Sequence, residues 1–138
     1  MRKILCLLLV LTFLVSCQEE GLLTRNQEII VLNPLAELKY TGAFIPTAGI
    51  SVAGEAKIYL ENGKYKVNLE NFTISDGPDL KVYLSKAATP TEFVNLGNLS
   101  SQTVYAIPNG VNISDYTHVL IHCQQYNHLF AIAALTSN

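Results

Sequence analysis

Charge is what this chain has least of. Asp, Glu, Lys and Arg make up 14% of its 138 residues, about half the usual share. Intrinsic disorder and long coiled coils need charge or heptads, so both are excluded. Nine basic residues stand against eleven acidic ones, a formal net charge of −2, which leaves no basic stripe for nucleic acid. Long apolar runs are missing too. The one at residues 4–15, broken by Thr12, spans roughly 18 Å as a helix, too short for a hydrocarbon core about 30 Å thick. There is no Gly-x-Gly-x-x-Gly, Walker A, His-Glu-x-x-His or Gly-x-Ser-x-Gly pattern, and no closely spaced Cys or His pair of the zinc type. A hydrolase is disfavoured because no nucleophile, base and orienting group stand together. What the chain does have is apolar content, 49%. In 138 residues that supports one domain with a real core, and the residues are too few for two.

The N-terminus reads as an address. Arg2 and Lys3 precede the apolar run, and small residues follow it, the order of a secretory signal over residues 1–16. Leu14-Val15-Ser16-Cys17 resembles the bacterial lipobox, in which lipid is attached to the cysteine and cleavage falls just before it. Cleavage there removes two basic residues and no acids, leaving seven against eleven, a net charge of −4. Anionic headgroups then do not hold the domain, and acyl chains on Cys17 must supply the membrane attachment. Of the three cysteines, Cys6 leaves with the signal and Cys17 carries lipid. Cys123 alone remains, so no disulfide forms within the mature chain.

Residues 17–37 form the lipidated cysteine and its tether, and from Leu38 onward the pattern is β. Ala56, Ile58 and Leu60 alternate with Lys57, Tyr59 and Glu61; Tyr65, Val67 and Leu69 alternate with lysines, Asn68 and Glu70. Asn62-Gly63 between them is a strong two-residue hairpin signal. Further strands are predicted over 38–45, 80–85, 93–96, 102–107, 117–123 and 128–135, divided by turns at Asp76-Gly77-Pro78-Asp79, Thr89-Pro90, Gly97-Asn98 and Pro108-Asn109-Gly110. Asp76 and Asp79 supply far fewer oxygens than the six to eight that calcium takes, and read as turn residues. The expectation is an all-β, antiparallel β-sandwich of about eight short strands over residues 38–138.

The last ribbon carries the one candidate for chemistry. A four-residue loop at 124–127 sets Cys123 opposite His128, Ile121 opposite Phe130 and Val119 opposite Ile132. Directly opposed residues have Cβ atoms about 4.5–5.5 Å apart. An imidazolium there lowers a thiol pKa and yields thiolate, the nucleophilic and metal-binding form, and thiolate with imidazole suits copper or haem. The competing reading makes Cys123 a small buried hydrophobe and His128 a loop-end histidine. His118 and His122 share the other face but lie roughly 13 Å apart along the strand, too far to chelate one ion.

Several segments match a known pattern. Asn71-Phe-Thr-Ile-Ser-Asp-Gly77-Pro78-Asp79-Leu80-Lys-Val-Tyr-Leu-Ser85 resembles the central motif of the DM-thirteen domain, found in bacterial exported proteins and often beside DOMON domains. Tyr40-Thr-Gly42-Ala-Phe44, Val52-Ala-Gly54-Glu-Ala56, Leu96-Gly97-Asn-Leu99, Val104-Tyr-Ala-Ile-Pro108 and Cys123 with its flanks extend the likeness over most of residues 38–135. The resemblance implies a β-sandwich and an electron-transfer role centred on Cys123, as a bare thiol or as ligand to haem or another group. An envelope redox protein would be the partner, with the domain lipid-anchored to a bacterial membrane, the outer one, facing the periplasm or the surface. Two positions depart from the pattern. His122 stands where the family often has tryptophan, and Ser101 stands where a glycine often precedes the Gln-x-x-Tyr stretch. The alternative reading is a non-redox extracytoplasmic binding or structural module.

Overall fold

Asn62 and Gly63 both hold positive φ, 50° and 74°, the backbone of the tight turn whose twist matches its flanking strands. The turn joins β2 (Val52–Glu61) to β3 (Lys64–Ile74), paired in register from Glu61↔Lys64 up to Val52↔Ile74 with one bulge near Gly54. Inward residues Ala56, Ile58 and Val67 are fully buried, so the alternation read from sequence is the alternation of burial. The computed structural model describes residues 29–138. Cys17, the signal segment and residues 18–28 lie outside the described residues.

Seven further strands complete the sheet: β1 (Glu37–Pro46), β4 (Leu80–Ser85), β5 (Phe93–Asn98), β6 (Val104–Ala106), β7 (His118–Cys123), β8 (His128–Ala134) and β9 (Thr136–Ser137). A single 3-10 turn at Ile113–Asp115 precedes β7. Every pairing is antiparallel, in the order β5-β4-β7-β8-β1-β2-β3-β6, with β9 beside β1. The sandwich expectation is corrected here. One continuous sheet curls into a nearly closed barrel, because the ten residues of β1 serve both halves. Its first part, through Ala43, pairs with β2; its last part, Phe44–Pro46, pairs with β8. The bend needs Gly42, where an added Cβ would collide with the Ala134 carbonyl oxygen. The remaining gap lies between β5 and β6. Tyr105 bridges it, its hydroxyl 3.2 Å from the carbonyl of Asn98 and 3.1 Å from that of Gln102.

The interior is filled by Ile58, Val67, Val82, Leu84, Val119 and Ile121, all fully buried, with Phe44 and Phe130 at its margins. The register also defines two ends. At one lie the Asn62–Gly63 turn, the start of β1 and the 108–110 turn, tied by Ile107 N–H to the Tyr65 carbonyl. At the other lie the 75–79 turn, the start of β4, the end of β7 and the start of β8, tied by Gln124 N–H to the Asp79 carbonyl.

Candidate functional site

The second end gathers the residues singled out from the sequence. In register across three strands stand Leu80, Cys123 and His128. The expected pairing of Cys123 with His128 is therefore present, and so is the four-residue loop, closed by Asn127 N–H donating to the Gln124 carbonyl with Asn127 at φ 48°. The rest of the expected register is corrected. A bulge at Phe130 shifts β8 by one residue, so Ile121 faces Ala131, Val119 faces Ala133, and Ile132 lies opposite Leu120 on the outer face. The bulge lets Phe130 and Ala131 both turn inward, so that Ala131 and Ala133 face the core where strict alternation would have put Ile132.

Cys123 and His128 differ sharply in surroundings. The thiol is fully buried within the apolar cluster, whereas His128 is exposed, its ring set edge-on to Phe130 with centroids 5.3 Å apart. No hydrogen bond links the sulfur to the imidazole among the described residues.

The turn over this end is the central motif. Gly77 lies against Leu80 and Phe130, where an added Cβ would come 2.7 Å from Leu80 Cδ2 and 3.0 Å from Phe130 Cε2. Glycine is thus required by close packing rather than by backbone angle. Pro78 is exposed at the apex. Asp79 holds Lys81 in a 2.8 Å ion pair and offers its carbonyl to Gln124, while Lys81 also meets the Asn98 side chain. Asp76 is exposed. The two aspartates act as turn residues, and Asp79 has a cation already. Beside the motif is a cavity of about 390 Å³, lined by Ser75, Asp76, Asp79, Asn98 and Ser100 among others. Cys123 does not line it.

The outer face carries an arrangement that sequence reading missed. Phe93, Tyr83 and His122 form a continuous stack, with centroids 4.1 Å apart for the first pair and 5.3 Å for the second. Phe93 reaches the surface; Tyr83 and His122 are buried. Burial pushes the His122 imidazole below its ordinary value, opposed by the Asn127 side chain and reinforced by neighbouring His128. Its Nδ1 has no hydrogen-bond partner among the described residues. The stack depends on β4 lying between β5 and β7, a neighbourhood that no local pattern announces. His122 and Cys123 point to opposite faces, as strand alternation requires.

Haem or copper can be tested against these residues. Among the described residues no three His, Cys, Asp or Glu side chains gather to hold an ion. The sulfur is enclosed by aliphatic side chains, and its register partner histidine turns to solvent. The residues as folded do not fit either group, since a ligating sulfur needs an open coordination path and partners aimed at the same point.

Fold and site together define a small all-β domain with one enclosed thiol beneath a packed Gly-Pro-Asp-Leu turn. The family model described as "Electron transfer DM13" matches residues 45–135, and the chain belongs to that family. No curated protein and no solved structure matches.

Proposed function

We propose that this protein is a lipid-anchored electron-transfer domain of the bacterial cell envelope, with Cys123 as its redox group in the form of a bare thiol. The supporting observation is the row Leu80–Cys123–His128 directly beneath the family motif. Two segments more than forty residues apart in the chain meet there. With no second cysteine left in the mature chain, the chemistry suited to Cys123 is exchange with an oxidised partner. Once that end of the barrel opens, the thiol gives its proton to water or to His128 at the loop, the thiolate attacks a disulfide of an envelope redox protein, one new S–S bond forms, and the partner's other sulfur leaves as thiolate. The partner's disulfide is thereby half reduced and Cys123 half oxidised, so the electron count closes. Access is gated, because the sulfur is fully enclosed in the resting fold. Membrane attachment through lipid on Cys17 is part of the same reading, carried by the Leu-Val-Ser-Cys sequence.

A second reading rests on that same enclosure: Cys123 fills the core and the domain binds or scaffolds without redox chemistry. Thiol titration of the native protein separates the two. Under the redox reading, an alkylating reagent or an aromatic disulfide modifies Cys123 far faster than global unfolding, and Cys123→Ala abolishes mixed-disulfide capture. If modification proceeds only at the rate of global unfolding, the redox reading falls and the core reading stands. A visible absorption band in the purified protein, lost in Cys123→Ala, would instead overturn the bare-thiol form.

A further inference from the structure

Six large apolar side chains stand exposed in the described chain, and three of them fall within seven residues. Ile29 is 77% exposed, Val31 70% and Leu35 91%. Ile29 and Val31 alternate with half-buried Ile30 and Leu32, and the four lie along a groove that they share with Asn68 and Ser101–Val104. The segment is fastened in that orientation. Asn33 N–H donates to Glu61 Oε2 at 3.1 Å, Lys66 Nζ donates to the Val31 carbonyl at 3.3 Å, and Asn33 Oδ1 accepts from Leu35 N–H at 2.9 Å. Asn33 also closes a turn to Ala36. A loose tether has no fixed outward face, but this one does.

We infer that Ile29, Val31 and Leu35 form a lipid seat, pressed into the bilayer surface to which Cys17 is anchored. The inference rests on the lipid-anchor reading above and adds an orientation to it. The lipid source is fixed by chain length: twelve residue steps from Cys17 to Ile29 reach at most roughly 40 Å. Ile29 therefore stays within that distance of the bilayer for as long as Cys17 carries lipid. Charge does not supply the attraction, because the mature chain is net acidic. Apolar insertion by about 5–10 Å into the headgroup boundary does.

The seat has a consequence for the site. Asn33–Ala36 and the Asn62–Gly63 turn lie at one end of the barrel, Ile29–Leu32 run along its wall beside Asn68 and Ser101–Val104, and the 75–79 turn with Cys123 and His128 lies at the other end. The eleven residues of β3, at about 3.3 Å each and a barrel tilt of about 40°, rise roughly 25 Å between those ends. Seating that wall and its Leu35 end on lipid leaves the thiol end as the part of the barrel farthest from Leu35, within reach of a soluble or neighbouring membrane partner.

The chain contains no tryptophan, so one placed by substitution is a clean reporter. Full-length protein carrying Leu35→Trp is purified from membranes and reconstituted into phosphatidylcholine vesicles with and without brominated acyl chains. The expected result is a blue-shifted emission quenched by bromine, with Tyr126→Trp, at the opposite end and 68% exposed, showing neither. Adding Ile29→Asp and Val31→Asp to Leu35→Trp should remove the quenching while the protein still floats with the vesicles. Floating Leu35→Trp protein whose indole emission is unquenched overturns the seat and leaves the anchor intact. Protein that does not float, with an unmodified Cys17 by mass, overturns both.

Discussion

Gly77→Ala tests whether the motif turn is the cover of the thiol end. The added methyl would meet Leu80 Cδ2 at 2.7 Å, Leu80 Cγ at 3.0 Å and Phe130 Cε2 at 3.0 Å. Both neighbours are buried, Leu80 9% and Phe130 8% exposed, so the leucine end must shift within packed surroundings to admit the methyl. Moving one side chain about 30° off its rotamer costs roughly 0.5–1.5 kcal/mol, and overpacking a filled core typically costs about 1–3 kcal/mol. The expected loss of stability is therefore about 2 kcal/mol, read as a lower urea midpoint with unchanged slope. Because Leu80 is the register partner of Cys123, the strain is concentrated over the sulfur. If it is released by local opening, the open population rises about 30-fold, and the native alkylation rate of Cys123 rises with it. Leu80→Val removes the atom of closest approach, so the double variant should recover part of the loss, a coupling between neighbours rather than a sum. An unchanged midpoint and an unchanged alkylation rate in Gly77→Ala would refute the account of the turn as a close-packed lid.

Further outcomes follow from the same geometry. His122 and His118 are both held below their ordinary value of 6.5, in each case chiefly by burial. The unfolded chain therefore binds protons more readily, so stability is full above about pH 6.5 and declines as pH falls below it; His122→Gln should flatten that decline in urea midpoints measured from pH 7.5 to 5. Glu61 is held below its ordinary value of 4.5, first by the Asn33 N–H and then by Lys66. Its stabilisation is present above that value and is lost as pH falls further, and amide exchange at Asn33 should quicken in Glu61→Gln. Asn62→Ala forces a side chain poorly suited to φ 50° into the hairpin turn, and a loss of about 1 kcal/mol is expected by thermal or urea unfolding. Cys123→Ser buries a hydroxyl in an apolar site and should cost about 1–3 kcal/mol, more than Cys123→Ala if no partner is found for it.

How far the candidate site can be read in advance depends on distance along the chain. Cys123 and His128 face one another across a four-residue loop, and loop length with alternation suffices to place them. Beyond Phe130 the same reasoning fails: it turns Ile132 inward, whereas the fold turns Ala131 and Ala133 inward and sets Ile132 opposite Leu120. A bulge is a response to packing: the strand gives up one ladder step at Phe130, and with it the period-two count of every residue beyond. The His122 stack with Tyr83 and Phe93 is invisible for a related reason, since its members come from three strands whose order in the sheet is not their order in the chain.

Local chemistry governs everything that was legible from residues 1–138 alone. The positive φ of Asn62 and Gly63, the period-two burial of β2 and β3, the scarcity of charge and the Gly-Pro-Asp-Leu turn are set by neighbours a few positions away. They sufficed for the all-β class, the strand positions and the family. Closure of the sheet and concealment of the sulfur were decided at longer range. β1 bends at Gly42 because Ala134 must come close, and β4 slots beside β7 so that Leu80 covers Cys123. Such contacts are rewarded only once the chain has come together, when apolar burial offsets the entropy of joining distant segments.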